Sequence, residues 1–215
     1  MNDQDSQVGA QLNTLLAEAG LATLDAGLSH KFESYLSLLL RWGSKINLTA
    51  IRDVDGILVR HFVESIACAQ VLPAGIRSLL DFGSGAGFPG IPIALCRPEI
   101  AVTLAESQGK KAAFLNEAVR ELGIQARVHG QRAETLAGGF DCVTLRAVDR
   151  MERAVGAAGQ MVHSGGWLGL MTTGGQLVGL QEAAGRQYDW KQAIPLPGGE
   201  DRLLSLGFLR SPGAP

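Results

Sequence analysis

The chain has 215 residues, of which 46% are hydrophobic and 19% charged, so it can bury the core of one domain, or of one domain and a small annex. Its net charge of −2 disfavours a protein that binds nucleic acid over its whole surface, but it allows a local basic patch. The sequence has no apolar run of membrane-spanning length, no secretory signal and no cysteine spacing typical of a zinc site or a disulfide framework, so we expect a cytoplasmic protein without a membrane or metal association.

Residues 1–75 are predicted to form a helical N-terminal cap. Apolar residues recur at helical spacing over 8–19, and Ser29 is a candidate cap for a second helix. A third helix is expected to start near Asp53 and to end before Pro73. This region contains no pattern typical of a strand.

Residues 76–215 show a different pattern, in which short apolar runs alternate with helical periods. Such alternation is typical of parallel βαβ units with right-handed crossovers. The predicted strands are 77–82, 101–105, 126–129, 141–145 and 167–171, and the predicted helices are 90–96, 110–122, 151–162 and 177–184. Two further strands, 192–196 and 203–209, are expected to form an antiparallel hairpin at the end of the chain.

A glycine-rich segment follows the first predicted strand and reads Asp81-Phe82-Gly83-Ser84-Gly85-Ala86-Gly87-Phe88-Pro89-Gly90. Glycines allow a backbone to approach a ligand closely, and ligands of open α/β sheets bind at the carboxyl ends of the strands. The run from Gly85 fits a dinucleotide loop, whereas the run from Gly83 fits the loop of an S-adenosylmethionine methyltransferase. The carboxylate of Asp81 favours the second interpretation, because it would repel a phosphate and attract an ammonium or sulfonium group. Glu106, at the end of the second strand, is expected to accept hydrogen bonds from ribose hydroxyls with either cofactor.

Several further segments, in the same order along the chain, resemble those of one family. They are Asn47-Leu48-Thr49-Ala50-Ile51, Arg60-His61-Phe62-Val63-Glu64-Ser65, 81–92, Glu106 with Lys110-Lys111 and Phe114-Leu115, Ala133-Glu134, and Leu145-Arg146-Ala147. In these motifs, over about residues 12–210, the chain resembles the bacterial 16S rRNA guanine-N7 methyltransferases of the RsmG or glucose-inhibited division protein B family. The resemblance implies a class I S-adenosylmethionine methyltransferase (Rossmann-like α/β) fold, with a mostly parallel seven-stranded sheet, a C-terminal antiparallel hairpin and the N-terminal helical cap. It also implies methylation of a guanine N7 in the 530 loop of 16S rRNA, in the small ribosomal subunit. We expect the protein to be a monomer.

The resemblance also assigns roles to individual residues. The implied donor contacts lie at Gly83, Phe88, Ala133, Glu134 and Arg146, to which the loop pattern adds Asp81, Gly85, Gly87 and Glu106. Arg146 is also the candidate catalytic residue, and the candidate RNA-binding residues are Arg60, His61, Lys110 and Lys111. Thr172-Thr173-Gly174 stands where the family commonly has Lys-Gly, so no contact through such a lysine is expected.

The chemistry implied by this resemblance requires few specialised residues. Guanine N7 has an in-plane lone pair and no proton, so its methylation needs positioning more than a general base. Three alternatives remain at this stage: a small-molecule methyltransferase of the same fold, an NAD-dependent oxidoreductase that uses Gly85, Gly87 and Gly90, and a nucleotide-binding module without catalytic activity.

Overall fold

The structure is a computed structural model that describes the backbone of residues 3–210 and the side chains from residue 7 onward. The outermost residues of the two predicted segments, 1–2 and 211–215, lie outside this range. Among the described helices, none is both long and apolar enough to cross a membrane.

The N-terminal part of the chain is helical, as predicted. Its elements are α1 (Asp3–Glu18), α2 (Ala26–Gly43), α3 (Val54–Ile57), a π-helical segment (Leu58–Val63) and α4 (Glu64–Val71). The predicted cap of the second helix was wrong, because Asp25, not Ser29, accepts a hydrogen bond from the Leu28 N–H (2.8 Å) and starts α2. The third helix does begin at an Asp53 cap, and its π-helical segment contains Arg60 and His61.

The remainder of the chain forms a mixed sheet with helices on both faces. Its strands are β1 (Ser78–Phe82), β2 (Ala101–Ala105), β3 (Ala126–His129), β4 (Phe140–Arg146), β5 (Val162–Thr173), β6 (Tyr188–Trp190), β7 (Ile194–Pro195) and β8 (Arg202–Leu209). Its helices are α5 (Gly90–Cys96), α6 (Gly109–Leu122), α7 (Met151–Gly159) and α8 (Gly174–Ala184), with a 3₁₀ turn at Ala133–Thr135. The strand order is β3-β2-β1-β4-β5-β8-β6, with β1 to β5 parallel. The order reverses between β1 and β4, where open α/β sheets bind their ligands.

The end of the chain is more elaborate than the predicted hairpin. β7 and β8 do pair antiparallel, through only two residues each. However, β8 also runs antiparallel to both β5 and β6 and lies between them. The short β6 was not predicted, and it brings the sheet to eight strands instead of seven.

The apolar core is divided by the sheet. The larger buried cluster joins the N-terminal helices to the sheet through residues such as Phe32, Phe62 and Leu79. The smaller cluster covers the other face and includes Leu145, Val155 and Leu180. Because the N-terminal helices share a core with the sheet, they hold their residues 48–61 against the carboxyl ends of β1 and β4.

Candidate functional site

A cavity of about 610 Å³ lies at the carboxyl ends of the central strands, within the range typical of small-molecule sites. Its floor is formed by the glycine loop after β1, by Glu106 after β2, and by residues that follow β3 and β4. The opposite wall comes from the N-terminal helical part, through residues 48–51 and Arg60 with His61. The cavity therefore lies between the helical N-terminal part of the chain and the sheet.

The glycine loop adopts a backbone conformation that residues other than glycine rarely occupy. Gly83 and Gly85 have φ angles of +75° and +59°, a region that side chains with a Cβ rarely occupy. A Cβ at Gly83 would lie 3.0 Å from a methyl group of Val148, whereas one at Gly85 would meet nothing closer than 4.0 Å. Both glycines line the cavity, so a ligand can approach the loop backbone closely.

Asp81 supports this loop from behind instead of facing the cavity. Its side chain is buried, and its Oδ2 accepts a hydrogen bond from the Gly90 N–H (3.1 Å). Burial raises the pKa of this carboxyl from 3.8 to about 6, and the hydrogen bonds from Ser84, Gly90 and Thr144 oppose that rise. The structure thus gives Asp81 a role in positioning the loop, where the sequence had suggested a direct contact with the donor.

An aromatic stack joins the N-terminal helices to the same loop. The Tyr35 hydroxyl donates to the carbonyl of Ala86 at 2.5 Å, and the Tyr35 and Phe88 rings lie 5.4 Å apart. Gly87 faces this stack and not the cavity, since a Cβ there would lie 2.8 Å from the Tyr35 oxygen. Phe88 does line the cavity, and His61 stacks on it with the ring centroids 4.7 Å apart.

His61 is held as a neutral ring. Its Nε2 shares a hydrogen bond with the Thr49 hydroxyl at 2.7 Å. Burial, together with the positive charge of Arg146, lowers the pKa of His61 from 6.5 to about 3. His61 is therefore uncharged at neutral pH and cannot bind a phosphate as a cation.

Two backbone hydrogen bonds hold the carboxylate of Glu106 at the cavity wall. Its Oε2 accepts from the Gly85 N–H (3.0 Å) and its Oε1 accepts from the Gln108 N–H (2.7 Å). Each carboxylate oxygen can accept a second hydrogen bond. These two bonds fix the carboxylate at the cavity wall, next to the glycine loop.

A buried carboxylate, Glu64, organises three arginines on the other side of the cavity. Its Oε1 accepts from Arg60 at 3.0 Å, and its Oε2 accepts from Arg146 at 2.9 Å and from Arg202 at 3.2 Å. Arg146 Nη2 also donates to the backbone carbonyl of Arg60. We refer to Glu64 and these three arginines as the Glu64 cluster. It joins α4, the end of β4 and the start of β8.

The structure brings most of the predicted site residues to this one cavity. Those that line it are Gly83, Gly85, Phe88, Glu106, Ala133, Glu134 and Arg146 from the donor set, and Arg60, His61 and Lys111 from the RNA set. Asp81 and Gly87 lie behind the glycine loop. Lys110 points away from the cavity into an adjacent groove.

Two features of the site were not recognised from the sequence. Arg202 is an isolated arginine at the start of the last strand, so no motif marks it, and only the position of β8 brings it to Glu64. Ala147 and Arg150, which line the cavity after β4, have positive φ angles of 49° and 51°. Such backbone in residues other than glycine is typical of functional loops, but no sequence pattern announces it.

Comparison with known proteins agrees with this geometry. A family model described as rRNA small subunit methyltransferase G matches residues 28–189. The ribosomal RNA small subunit methyltransferase G of Stenotrophomonas maltophilia (strain K279a) is 45% identical over 166 residues, which cover 76% of each chain. The protein of the same name from Xanthomonas axonopodis pv. citri (strain 306) is 42% identical over 149 residues, or 68% of this chain and 69% of the relative.

Solved structures share the fold at low sequence identity. A methyltransferase from Pyrococcus furiosus has a TM-score of 0.58 and 16% identity, with 68% of this chain and 83% of that chain covered. An S-adenosylmethionine-dependent O-methyltransferase from Thermotoga maritima has a TM-score of 0.56 and 12% identity, with 71% and 66% covered. The fold is thus that of class I methyltransferases, and an NAD-dependent oxidoreductase or a module without catalytic activity is not supported. On the extent of the family match and the identity to its members, this chain belongs to the rRNA small subunit methyltransferase G family.

Proposed function

We propose that the protein transfers the methyl group of S-adenosylmethionine to N7 of a guanine in the 530 loop of 16S rRNA. The observation that carries this proposal is the charge of the cavity. Seven basic and three acidic side chains line it, an excess of four positive charges in a chain whose net charge is −2. The basic ones are Arg60, Lys111, Arg132, Arg146, Arg150, Arg153 and Arg202, and the acidic ones are Glu106, Glu134 and Asp149.

This excess favours a polyanion over a small neutral substrate. Glu64, directly behind the arginines, offsets one charge of the seven. The remaining excess is local, which suits a substrate that offers one loop of phosphates. A methyltransferase for small molecules would have no need of it.

The residues at the glycine loop fit the methyl donor. When bound, S-adenosylmethionine supplies an electrophilic methyl group on a sulfonium. Gly83 and Gly85 allow close backbone contact, and Glu106 has free acceptor positions for two ribose hydroxyls. Ala133 and Glu134 lie in the 3₁₀ turn after β3 and line the cavity, and in this proposal they contact the adenine.

Arg146 is proposed as the residue that orients the reacting groups. Its Nη2 is occupied by Glu64 and the Arg60 carbonyl, so the guanidinium is fixed while Nε and Nη1 keep their protons for a ligand. A guanidinium fixed in this way can donate hydrogen bonds either to the carboxylate of S-adenosylmethionine or to an acceptor on the guanine, and so hold that group in a reactive geometry.

The cavity contains no strong base, which agrees with the chemistry of guanine N7. Among the described residues that line it, the only imidazole is His61, whose pKa is lowered to about 3. Methylation of N7 removes no proton, so none is needed. Positioning by the glycine loop and the Glu64 cluster would then account for most of the rate.

Residues 1–75 act as the helical cap and 76–215 as the methyltransferase domain, and together they close the cavity from two sides. Because a single chain supplies both walls, the protein is proposed to act as a monomer. Its substrate, the small ribosomal subunit, places it in the cytoplasm.

The test is transfer of a labelled methyl group to small subunits that lack the modification, with the product mapped by cleavage at N7-methylguanine. Label in the 530 loop is expected. Arg146→Lys keeps the charge opposite Glu64 but loses the planar fork, and it should lower kcat about 100-fold while circular dichroism shows a folded protein. Donor binding without any label on RNA would overturn the proposal, and an unchanged kcat would remove Arg146 from it.

A further inference from the structure

A second groove, of about 420 Å³, lies beside the cavity, between the end of α2 and the start of α6. Among the residues that the structure describes, four cationic side chains and no acidic one line it. The four cationic side chains are Lys45, Arg52, Lys110 and Lys111, and we call the groove that they line the basic groove. Its other lining residues are small or polar, apart from Ile46, so the groove offers little to an apolar ligand.

The charges of the basic groove are not used within the protein. In the part of the chain that the structure describes, none of its four cations has a carboxylate within 4.0 Å. Arg52 donates only to the amide oxygen of Asn47, at 2.9 Å. By contrast Arg41, one turn before Lys45, pairs with Glu117 at 2.5 Å and Glu121 at 3.2 Å. The unpaired positive charge of the basic groove therefore does not extend to Arg41, whose charge is balanced by these two glutamates.

The start of α6 adds to this field. The helix has 14 residues, and no side chain caps its N-terminus, where Gln108 precedes the first turn. Free N–H groups at such a terminus attract anions. The acidic group at this end is Glu106, which is buried and already accepts from the Gln108 N–H at 2.7 Å. It faces the cavity and not the basic groove.

The basic groove is continuous with the cavity, because Gln108 and Lys111 line both. We propose that it binds backbone phosphates of the RNA strand next to the guanine that enters the cavity. This inference rests on the proposed function, and it adds a path for the substrate strand. The groove supplies affinity without base contacts, as phosphate-binding cations do.

An RNA backbone fits these features better than an acidic peptide. The basic groove has four cations and only one large apolar side chain, Ile46, among its lining residues, whereas a protein partner would need several apolar anchors to bind stably. Its continuity with a cavity proposed to receive a base also points to the same RNA molecule.

The test is the double variant Lys45→Ala/Arg52→Ala, since both side chains are exposed and neither lies in the cavity. The matched control is Lys191→Ala, an exposed lysine after β6, at the opposite edge of the sheet from β3. Circular dichroism and binding of S-adenosylmethionine establish that each variant is folded. Methyl transfer to small subunits is measured as kcat and KM at several salt concentrations, together with the binding of a protein-free RNA fragment that contains the 530 loop.

The double variant is expected to raise KM for the subunit about tenfold at unchanged kcat and to weaken binding of the RNA fragment, because two phosphate contacts are lost. The slope of log K against log salt is negative, and in the double variant it should become shallower by about 1.4. This corresponds to about 0.7 for each lost contact with a single strand. Lys191→Ala should change neither quantity.

Other outcomes overturn the proposal in distinguishable ways. If the double variant behaves like Lys191→Ala, the basic groove does not bind RNA, although the proposed function stands as long as the wild type methylates the subunit. A loss of affinity for the subunit but not for the RNA fragment would assign the groove to a ribosomal protein and refute an RNA path. If the wild type methylates no RNA, the proposed function fails, and binding of the fragment alone decides whether the groove is a phosphate site.

Discussion

Replacing Glu64 with glutamine removes the one negative charge of the Glu64 cluster while nearly keeping the shape of the side chain. The glutamate is fully buried, and its two oxygens accept from three guanidinium groups at distances of 2.9 to 3.2 Å. In the variant one oxygen becomes an amide nitrogen, which directs its protons at an arginine that also donates. Two of the arginine side chains, Arg146 and Arg202, are only 7% and 17% exposed, so water can replace little of the lost charge.

The size of the effect follows from this burial. Removal of one partner from a buried ion pair costs about 3–5 kcal/mol, mostly because a charge is left unpaired. Arg60 is 40% exposed and can turn towards water, so the lower end of this range applies. We expect the free energy of unfolding to fall by about 3 kcal/mol. For a chain of this size, that corresponds to a decrease in Tm of about 6–12 °C.

Urea unfolding at pH 7 measures this difference, and calorimetry gives the change in Tm. The control is Glu117→Gln, because Glu117 pairs with an Arg41 side chain that is 53% exposed. An exposed pair contributes less than about 1 kcal/mol, so the control should unfold nearly as the wild type does. If Glu64→Gln costs no more than Glu117→Gln, then water reaches the Glu64 cluster and the reasoning from burial is wrong.

Three further predictions concern the glycine loop. Gly83→Val should abolish binding of S-adenosylmethionine in a calorimetric titration, because valine disfavours a φ of +75° and its side chain would contact Val148. Tyr35→Phe removes the donor to the Ala86 carbonyl, and it should lower the free energy of unfolding by about 1–2 kcal/mol in urea and weaken donor binding several-fold. The raised pKa of Asp81, about 6, means that the folded state binds a proton more tightly than the unfolded state, which stabilises the fold at low pH. Relative to Asp81→Asn, the wild type should therefore lose about 2 kcal/mol of stability in urea unfolding between pH 4.5 and pH 7.5.

Each of these predictions has a result that would contradict it. Gly75→Val is the control for Gly83→Val, since Gly75 also has a positive φ (+88°) but lies away from the cavity; equal donor binding by both variants would refute a steric role for Gly83. Unchanged donor affinity in Tyr35→Phe would show that the hydroxyl does not position the loop. Parallel pH profiles of the wild type and Asp81→Asn would mean that Asp81 titrates as it does in the unfolded chain.

The class of fold and the position of the site could both be predicted from the order of residues along the chain. The alternation of short apolar runs with helical periods indicates parallel βαβ units, and the strands β1 to β4 lie within one residue of their predicted bounds. The glycines around Gly85 and the carboxylate at Glu106 marked the cavity, because both depend on residue types at the ends of neighbouring strands. Such local signals need no knowledge of distant contacts.

Tertiary structure alone decided which charged residues act together. Glu64 and Arg146 are 82 positions apart, and Glu64 and Arg202 are 138 apart, so no local pattern relates them. Asp81, which the sequence placed in contact with the donor, is instead buried, and it accepts hydrogen bonds from the Gly90 N–H and from the Thr144 hydroxyl, 63 positions away. β8 was predicted as half of a hairpin, and its position between β5 and β6 brings Arg202 to the cavity. The physical reason is the same in each case: burial and charge pairing depend on contacts between segments that only the packed sheet brings together.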